Sequence, residues 1–74
     1  MLYVCRVRAN GAAIRAIRKA NRVGLRTLAI RTERTRGFLS QVETGKQGAS
    51  VQTIERIADV LGVPVEAITH REAS

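Results

Sequence analysis

The chain has 74 residues, enough for one small domain, and a domain of this size buries only about 60% of its unfolded surface. Its core is therefore thin, which excludes a deep catalytic cleft, and an apolar content with one Phe, one Tyr and no Trp favours helical packing over a β-sandwich. Eleven basic and two acidic side chains lie in residues 1–46, against two and four in residues 47–74, and the net charge is +7. This imbalance indicates a polyanionic partner, although high net charge also serves solubility alone.

Residues 1–9, MLYVCRVRA, alternate with the two-residue period of a β-strand. A single strand needs a partner for its backbone hydrogen bonds. The segment could pair with a second subunit, lie along the helices or act as a basic arm through Arg6 and Arg8, and a disordered terminus is the plainer alternative. Asn10 and Gly11 interrupt the pattern, so residues 1–11 are predicted to be an extended N-terminal segment or arm.

Two helices are predicted next, over residues 12–22 and 25–31. The first turns Ala13, Ile14 and Ile17 inward and places most of its charged side chains outward. The second turns Leu25, Leu28 and Ala29 inward. Residues 32–35 then form a turn, and Thr35 is well suited to cap the following helix because its hydroxyl can accept from a free backbone N–H.

The third predicted helix, residues 36–43, has two opposite faces. Steps of about 100° per residue group three apolar side chains on one arc, which are Phe38, Leu39 and Val42. The opposite arc carries Arg36, Gly37, Ser40 and Gln41. In the major groove of DNA, Arg suits guanine edges and Gln suits adenine edges, and a Gly permits close approach. We therefore predict that this arc contacts bases, with binding of Arg36 to a phosphate left open.

The remaining segments are a loop, a regular helix and a short final helix. Residues 44–49 contain two glycines and Lys46, which would allow close approach to a phosphate. Ser50 is a good N-cap for a helix that ends at Gly62. Its apolar residues recur at intervals of three and four and are predicted to face the core, and they are Val51, Ile54, Ile57, Ala58 and Leu61. Pro64 is predicted to start the short helix that runs through Ile68, and residues 70–74 are predicted to be a loose tail.

The segments LRTLA, TRGFLSQVETGK and SVQTIERIADVLGVPVEAI resemble the helix-turn-helix of phage repressor and Cro proteins, the Xre-like family. The resemblance covers residues 14–69 and implies an all-α, five-helix, lambda-repressor-like domain over residues 12–69, preceded by the short extended segment. It also implies that the helix over residues 36–43 lies in the major groove. The chain departs from the family pattern at the turn, where Glu33 and Arg34 replace a Gly and a buried aliphatic residue, and at the start of the second helix, where Gly24 and Leu25 replace a polar cap and a Gln.

The resemblance further implies a partly buried ion pair between Arg18 and Glu43, which would hold the recognition helix to the rest of the domain. Two solvated charges are the alternative. The family's loop after the recognition helix contacts the DNA backbone. The candidates for phosphate contacts in this chain are Arg26, Arg34, Thr35 and Lys46.

Several kinds of site and location are not expected. The single Cys5 excludes an internal disulfide and a multi-cysteine metal site, and His70 stands alone near the other end of the sequence. No Ser-His-Asp set and no phosphate-loop motif is present, so we predict no enzyme activity, no catalytic residue, no metal and no cofactor. We also predict a cytoplasmic protein without a membrane segment or secretory signal.

Taken together, these patterns predict a sequence-specific DNA-binding transcriptional regulator of phage or prokaryotic type. Its partners would be double-stranded DNA and a second copy of the chain, with half-sites about 34 Å apart, and no small-molecule substrate. A protein-interaction or antitoxin-like module on the same fold is the main alternative, because fold alone does not determine function. Architectural DNA binding without sequence preference is a third possibility.

Overall fold

The computed structural model describes residues 7–71, which form four α-helices and a small antiparallel sheet. The helices are α1 (Gly11–Ala20), α2 (Leu25–Thr32), α3 (Arg36–Thr44) and α4 (Val51–Leu61). Strand β1 (Val7–Ala9) precedes α1, and a 3-10 turn (Val65–Ile68) connects α4 to strand β2 (Thr69–Arg71). Most of the predicted N-terminal strand, including Cys5 and Arg6, and the end of the predicted tail lie outside these residues.

The prediction of five helices was wrong, since residues 7–71 contain four α-helices. The segment predicted as the fifth helix is a single 3-10 turn of four residues, closed by the Ala67 N–H donating to the Pro64 carbonyl at 2.9 Å. Pro64 before it and Thr69 after it both have extended backbone angles. Only four residues therefore remain between two extended positions, and short connections of this kind adopt 3-10 rather than α geometry.

The two ends of the described chain pair with each other as β-strands. The prediction of an all-α fold with a loose tail did not include this pairing. Arg8 lies opposite His70 and Ala9 opposite Thr69 in the antiparallel register of β1 and β2. The Asn10 N–H continues the pairing by donating to the Ile68 carbonyl at 2.8 Å. The first residues of the predicted tail are thus strand, because β1 offers the backbone partner that an isolated terminus lacks.

The core consists of aliphatic side chains from all four helices and the 3-10 turn. Its fully buried members are Ile14, Leu28, Leu39, Val42, Ile54, Ile57 and Ile68, with Ala29, Ala58 and Leu61 beside them. Val51, predicted to be inside, is 46% exposed because it begins α4 one turn before the first core residue of that helix. A buried Thr53 faces inward near that end instead.

All four α-helices end with a residue in the left-handed region, which directly follows α2, α3 and α4 and lies one position further on after α1. After α2, the Glu33 N–H donates to the Ile30 carbonyl and the Arg34 N–H donates to the Ala29 carbonyl, which is the Schellman arrangement. Gly45 and Gly62 hold the left-handed position after α3 and α4. The other two such positions are occupied by Arg22 and Glu33, with φ of 57° and 60°. These two residues adopt a backbone conformation that glycine adopts at a lower cost in free energy.

Replacing Arg22 with glycine is therefore expected to stabilise the fold by about 1 kcal/mol, because the left-handed strain is relieved at an exposed site. Urea unfolding followed by circular dichroism measures the change. Arg22→Ala is the matched control, since it also removes the charge but keeps a Cβ. Equal stability of the two variants would show that φ at this position carries no strain.

Candidate nucleic-acid interface

Helix α3 presents a polar face outward because its apolar face is held by the core. Leu39 and Val42 are each 1% exposed, and Phe38 is half-buried beside them. The Thr35 hydroxyl accepts from the Phe38 N–H at 3.0 Å and fixes the first residue of the helix, as predicted for an N-cap. The start and the rotation of α3 about its axis are therefore both set by contacts inside the protein.

The outward face of α3 carries the four side chains predicted to contact bases. Arg36, Gly37, Ser40 and Gln41 are all exposed. Within residues 7–71, the side chains of Arg36, Ser40 and Gln41 make no hydrogen bond or ion pair, so their donors and acceptors are available to a ligand. The arrangement combines one cation, one hydroxyl and one amide with a position that has no side chain. This set can donate to and accept from base edges in a groove.

The ion pair between Arg18 and Glu43 is present and bidentate. Arg18 Nε lies 2.7 Å from Glu43 Oε2 and Arg18 Nη2 lies 3.0 Å from Oε1, with 10% and 5% of the two side chains exposed. Arg18 Nη1 also donates to the Val23 carbonyl at 3.1 Å. Because every guanidinium nitrogen has a partner, the desolvation of both charges is compensated by hydrogen bonds. The pair joins α1 to the inner side of α3.

The hydrogen bonds that Arg18 donates to Glu43 raise the pKa of Arg18, burial lowers it, and the negative charge of Glu43 raises it again. A raised pKa means that the folded state favours the protonated guanidinium. The contribution of this group to stability is therefore complete across the neutral range and disappears only as the pH rises through that raised value.

Gly11 brings the first turn of α1 against the backbone of α3. A Cβ at this position would lie 2.3 Å from the Val42 carbonyl oxygen and 2.5 Å from that of Glu43. No side chain fits at such distances, so the close approach of the two helices depends on glycine. The sequence indicates Gly11 only as an interruption, because nothing in the local pattern shows which distant backbone it contacts.

The candidates for phosphate contacts occupy different environments. Arg26, Thr35 and Lys46 are exposed, at the start of α2, at the cap of α3 and in the loop after α3. Arg34 is half-buried, and all three of its guanidinium nitrogens donate to atoms of the protein itself. α2 packs against α3, so Arg26 belongs to a helix that directly contacts α3.

Thr53 and Arg56 of α4 contact the turn between α2 and α3, and neither role was predicted from the sequence. Thr53 Oγ1 accepts from Arg34 Nε and Nη2, and Arg56 Nη1 donates to the Thr32 carbonyl at 3.3 Å. The sequence carries one indication that the Thr53 side chain makes a hydrogen bond. Thr53 is the third residue after the Ser50 cap, the position where the Glu or Gln of a capping box hydrogen-bonds at the start of the helix.

The described part of the chain contains neither a cluster of metal-ligating side chains nor a membrane-spanning helix. Residues 7–71 contain no group of three or more His, Cys, Asp and Glu side chains placed to hold a metal ion. None of the helices between Val7 and Arg71 is both long and apolar enough to cross a membrane.

Known proteins match this chain over most of its length. The family model described as a helix-turn-helix domain matches residues 11–70. The immunity repressor protein of Bacillus phage phi105 is 34% identical over 62 residues, which are 84% of this chain and 43% of that protein. The chain therefore spans less than half the length of this relative.

Solved structures show the same arrangement. The clp gene regulator ClgR from Corynebacterium glutamicum superposes with a TM-score of 0.74 at 34% identity, over 76% of this chain and 60% of that one. The master regulator for biofilm formation SinR, solved in complex with DNA, superposes with a TM-score of 0.72 at 31% identity, over 77% of this chain and 95% of that one.

Proposed function

Because the chain belongs to the helix-turn-helix domain family of phage-repressor and Xre-like proteins, we propose that it is a sequence-specific DNA-binding transcriptional regulator. It would act as a repressor by occupying an operator, as a cytoplasmic binding protein without catalytic activity. The exposed polar face of α3 is the observation that carries this proposal. A helix held this firmly by the core, with unpaired Arg, Ser and Gln side chains outward, has the properties that insertion into a major groove requires.

Each residue of the interface has a proposed role. Gln41 donates to and accepts from an adenine, Arg36 contacts a guanine or a nearby phosphate, and Ser40 adds a polar contact beside Gly37, where the helix can approach the bases closely. The phosphate contacts come from Arg26, Thr35 and Lys46, which are exposed around α3. These contacts fix the register of the protein on the duplex but do not select a sequence.

We propose further that two copies bind one operator. Two recognition helices in successive major grooves on one side of the duplex would contact half-sites about 34 Å apart, so the preferred DNA sequence is expected to be an inverted repeat with this spacing. Sedimentation of the protein with a duplex carrying one or two half-sites tests the stoichiometry. Binding of a single copy to the full site would contradict this part of the proposal.

Gln41→Ala is expected to weaken binding by about 1–3 kcal/mol at one base pair only, since a bidentate contact to adenine is lost there. The test begins with a duplex selected from a random pool by the wild-type protein. Each base pair is then varied and the affinity measured by fluorescence anisotropy at fixed salt. Gln52→Ala, an exposed Gln on α4, is the matched control and should leave the base preferences unchanged. Equal weakening of all sequences by Gln41→Ala would show that Gln41 does not contact a base.

The same titration on random duplex separates the alternatives. A DNA-binding protein loses affinity as salt rises, with a slope of about −0.9 for each phosphate it neutralises, whereas a module that binds only proteins shows no complex at low salt. An architectural protein would show the salt dependence without preferring the selected duplex over the random one.

A further inference from the structure

One buried hydroxyl, that of Thr53, contacts two segments on either side of α3. The first is the turn before α3, and the second is the N-cap of α4, which directly follows the loop after α3. The Thr53 side chain is part of α4 and its residue is 2% exposed. Thr53 Oγ1 lies 3.3 Å from Arg34 Nε, 3.1 Å from Arg34 Nη2 and 3.0 Å from Ser50 Oγ. Arg34 belongs to the turn between α2 and α3, and Ser50 directly follows the loop that carries Lys46. We call Arg34, Thr53 and Ser50 the Thr53 cluster.

The direction of each hydrogen bond in the Thr53 cluster follows from the groups involved. A guanidinium can only donate, so Arg34 uses both lone pairs of Thr53 Oγ1. The Thr53 hydroxyl hydrogen must then be donated to Ser50 Oγ, which also accepts from the Thr53 N–H at 3.2 Å. Arg34 Nη1 donates to the Glu33 carbonyl at 3.1 Å. The hydroxyl at position 53 is thus the acceptor on which the orientation of the turn depends.

The turn has the hydrogen bonds of a Schellman ending but lacks the apolar residue that usually accompanies them. In a Schellman ending, the residue after the left-handed position commonly makes an apolar contact with the last turn of the helix. Arg34 occupies that place here, directly after Glu33, which has φ of 60° without being glycine. The contact of Arg56 with Glu33 adds little, since 48% and 77% of the two side chains are exposed. Arg56 also donates to the Thr32 carbonyl at 3.3 Å, but of the two α4 side chains that contact the turn only Thr53 is buried.

We propose that Thr53 is a positioning residue for the recognition helix and that Arg34 acts through it rather than by binding a phosphate. This inference rests on the proposed function. Arg36 is the first residue of α3 and follows Arg34 by two positions, so a displaced turn moves the side chains at the start of the outward face. Base contacts tolerate displacements of only about 0.5 Å, whereas contacts to phosphates with flexible cations tolerate more. Loss of the hydroxyl should therefore reduce discrimination between sequences more than it reduces binding to random DNA.

The test compares Thr53→Val with Thr53→Ser. The first keeps the volume of the side chain and removes the hydroxyl, whereas the second keeps the hydroxyl and removes a buried methyl group. The measured quantity is the ratio of the Kd for random duplex to the Kd for the selected duplex, at a temperature where circular dichroism shows equal helix content. Thr53→Val should lower this ratio roughly tenfold, as expected when donors lose a buried acceptor, and Thr53→Ser should stay within about twofold of wild type. If packing alone matters, Thr53→Ser will be the more impaired variant and the inference is overturned.

Arg34→Met provides a second readout that does not depend on position 53. The Thr53 cluster predicts the same loss of discrimination as in Thr53→Val, with the salt slope on random duplex unchanged. A phosphate contact by Arg34 would instead reduce the magnitude of that slope by about 0.9, and this result would overturn the inference. A wild-type protein that does not prefer the selected duplex would refute the proposed function itself, and the inference with it. A wild-type preference that survives in Thr53→Val would refute the inference alone.

Discussion

Replacing Gly11 with alanine is expected to destabilise the fold by about 3 kcal/mol, although alanine is the better helix former. The new Cβ would lie 2.3 Å and 2.5 Å from two carbonyl oxygens of α3, at Val42 and Glu43. Both are backbone atoms of a helix, so neither can move aside as a flexible side chain would. The two helices must separate instead, which opens the core around Ile14 and strains the ion pair of Glu43. Urea unfolding followed by circular dichroism measures this loss.

Gly37→Ala is the matched control for Gly11→Ala, because it makes the same chemical change within a helix. No atom lies within 4 Å of the position that its Cβ would take. This variant should therefore gain about 0.5–1 kcal/mol from helix propensity. The account of how α1 packs on α3 would be wrong if Gly11→Ala were as stable as Gly37→Ala.

Glu43→Gln is expected to cost about 3–5 kcal/mol, because it leaves the charge of Arg18 buried without a counter-charge. The side chain keeps its size, and only 5% of the Glu43 side chain is exposed in the native pair. Thermal and urea unfolding should both report the loss. At temperatures where the variant remains folded, its preference among DNA sequences should be close to that of the wild type, since the outward face of α3 is unchanged.

The double variant Arg18→Met with Glu43→Met separates the net value of the pair from the penalty of breaking it. Replacing both buried charges with apolar groups of similar size is often close to neutral. We therefore expect the double variant to be more stable than Glu43→Gln alone. A cost below about 1 kcal/mol for Glu43→Gln would mean that the pair behaves like an exposed one in solution.

The helices and their ends were largely predictable from the sequence because the information is local. Ser50 and Thr35 were identified as caps from their type and position, and both accept the backbone N–H expected of a cap. The apolar face of α3 follows from residue spacing alone, and the polar face opposite it follows from the same steps. The partner of Arg18 came from resemblance to a family, since no local rule connects it with Glu43.

Three of the features that were missed join residues that are distant in the sequence. β2 exists because β1 supplies its hydrogen-bond partner, and nothing in the composition of residues 69–71 indicates a strand without that partner. Gly11 is required by the backbone of α3, and Thr53 accepts hydrogen bonds from Arg34 in the turn. Each of these depends on how the helices pack, which periodicity leaves undetermined.

The central claim, that the outward face of α3 lies in the major groove, is tested most directly by changing one atom of the DNA. In the selected duplex, the adenine assigned to Gln41 is replaced by 7-deazaadenine, which pairs normally with thymine but lacks the N7 acceptor of the major groove. We predict that wild-type affinity falls by about 1–3 kcal/mol and that Gln41→Ala binds the two duplexes equally. Unchanged wild-type affinity at this and every other purine of the site would show that α3 does not contact the major-groove edges of the bases.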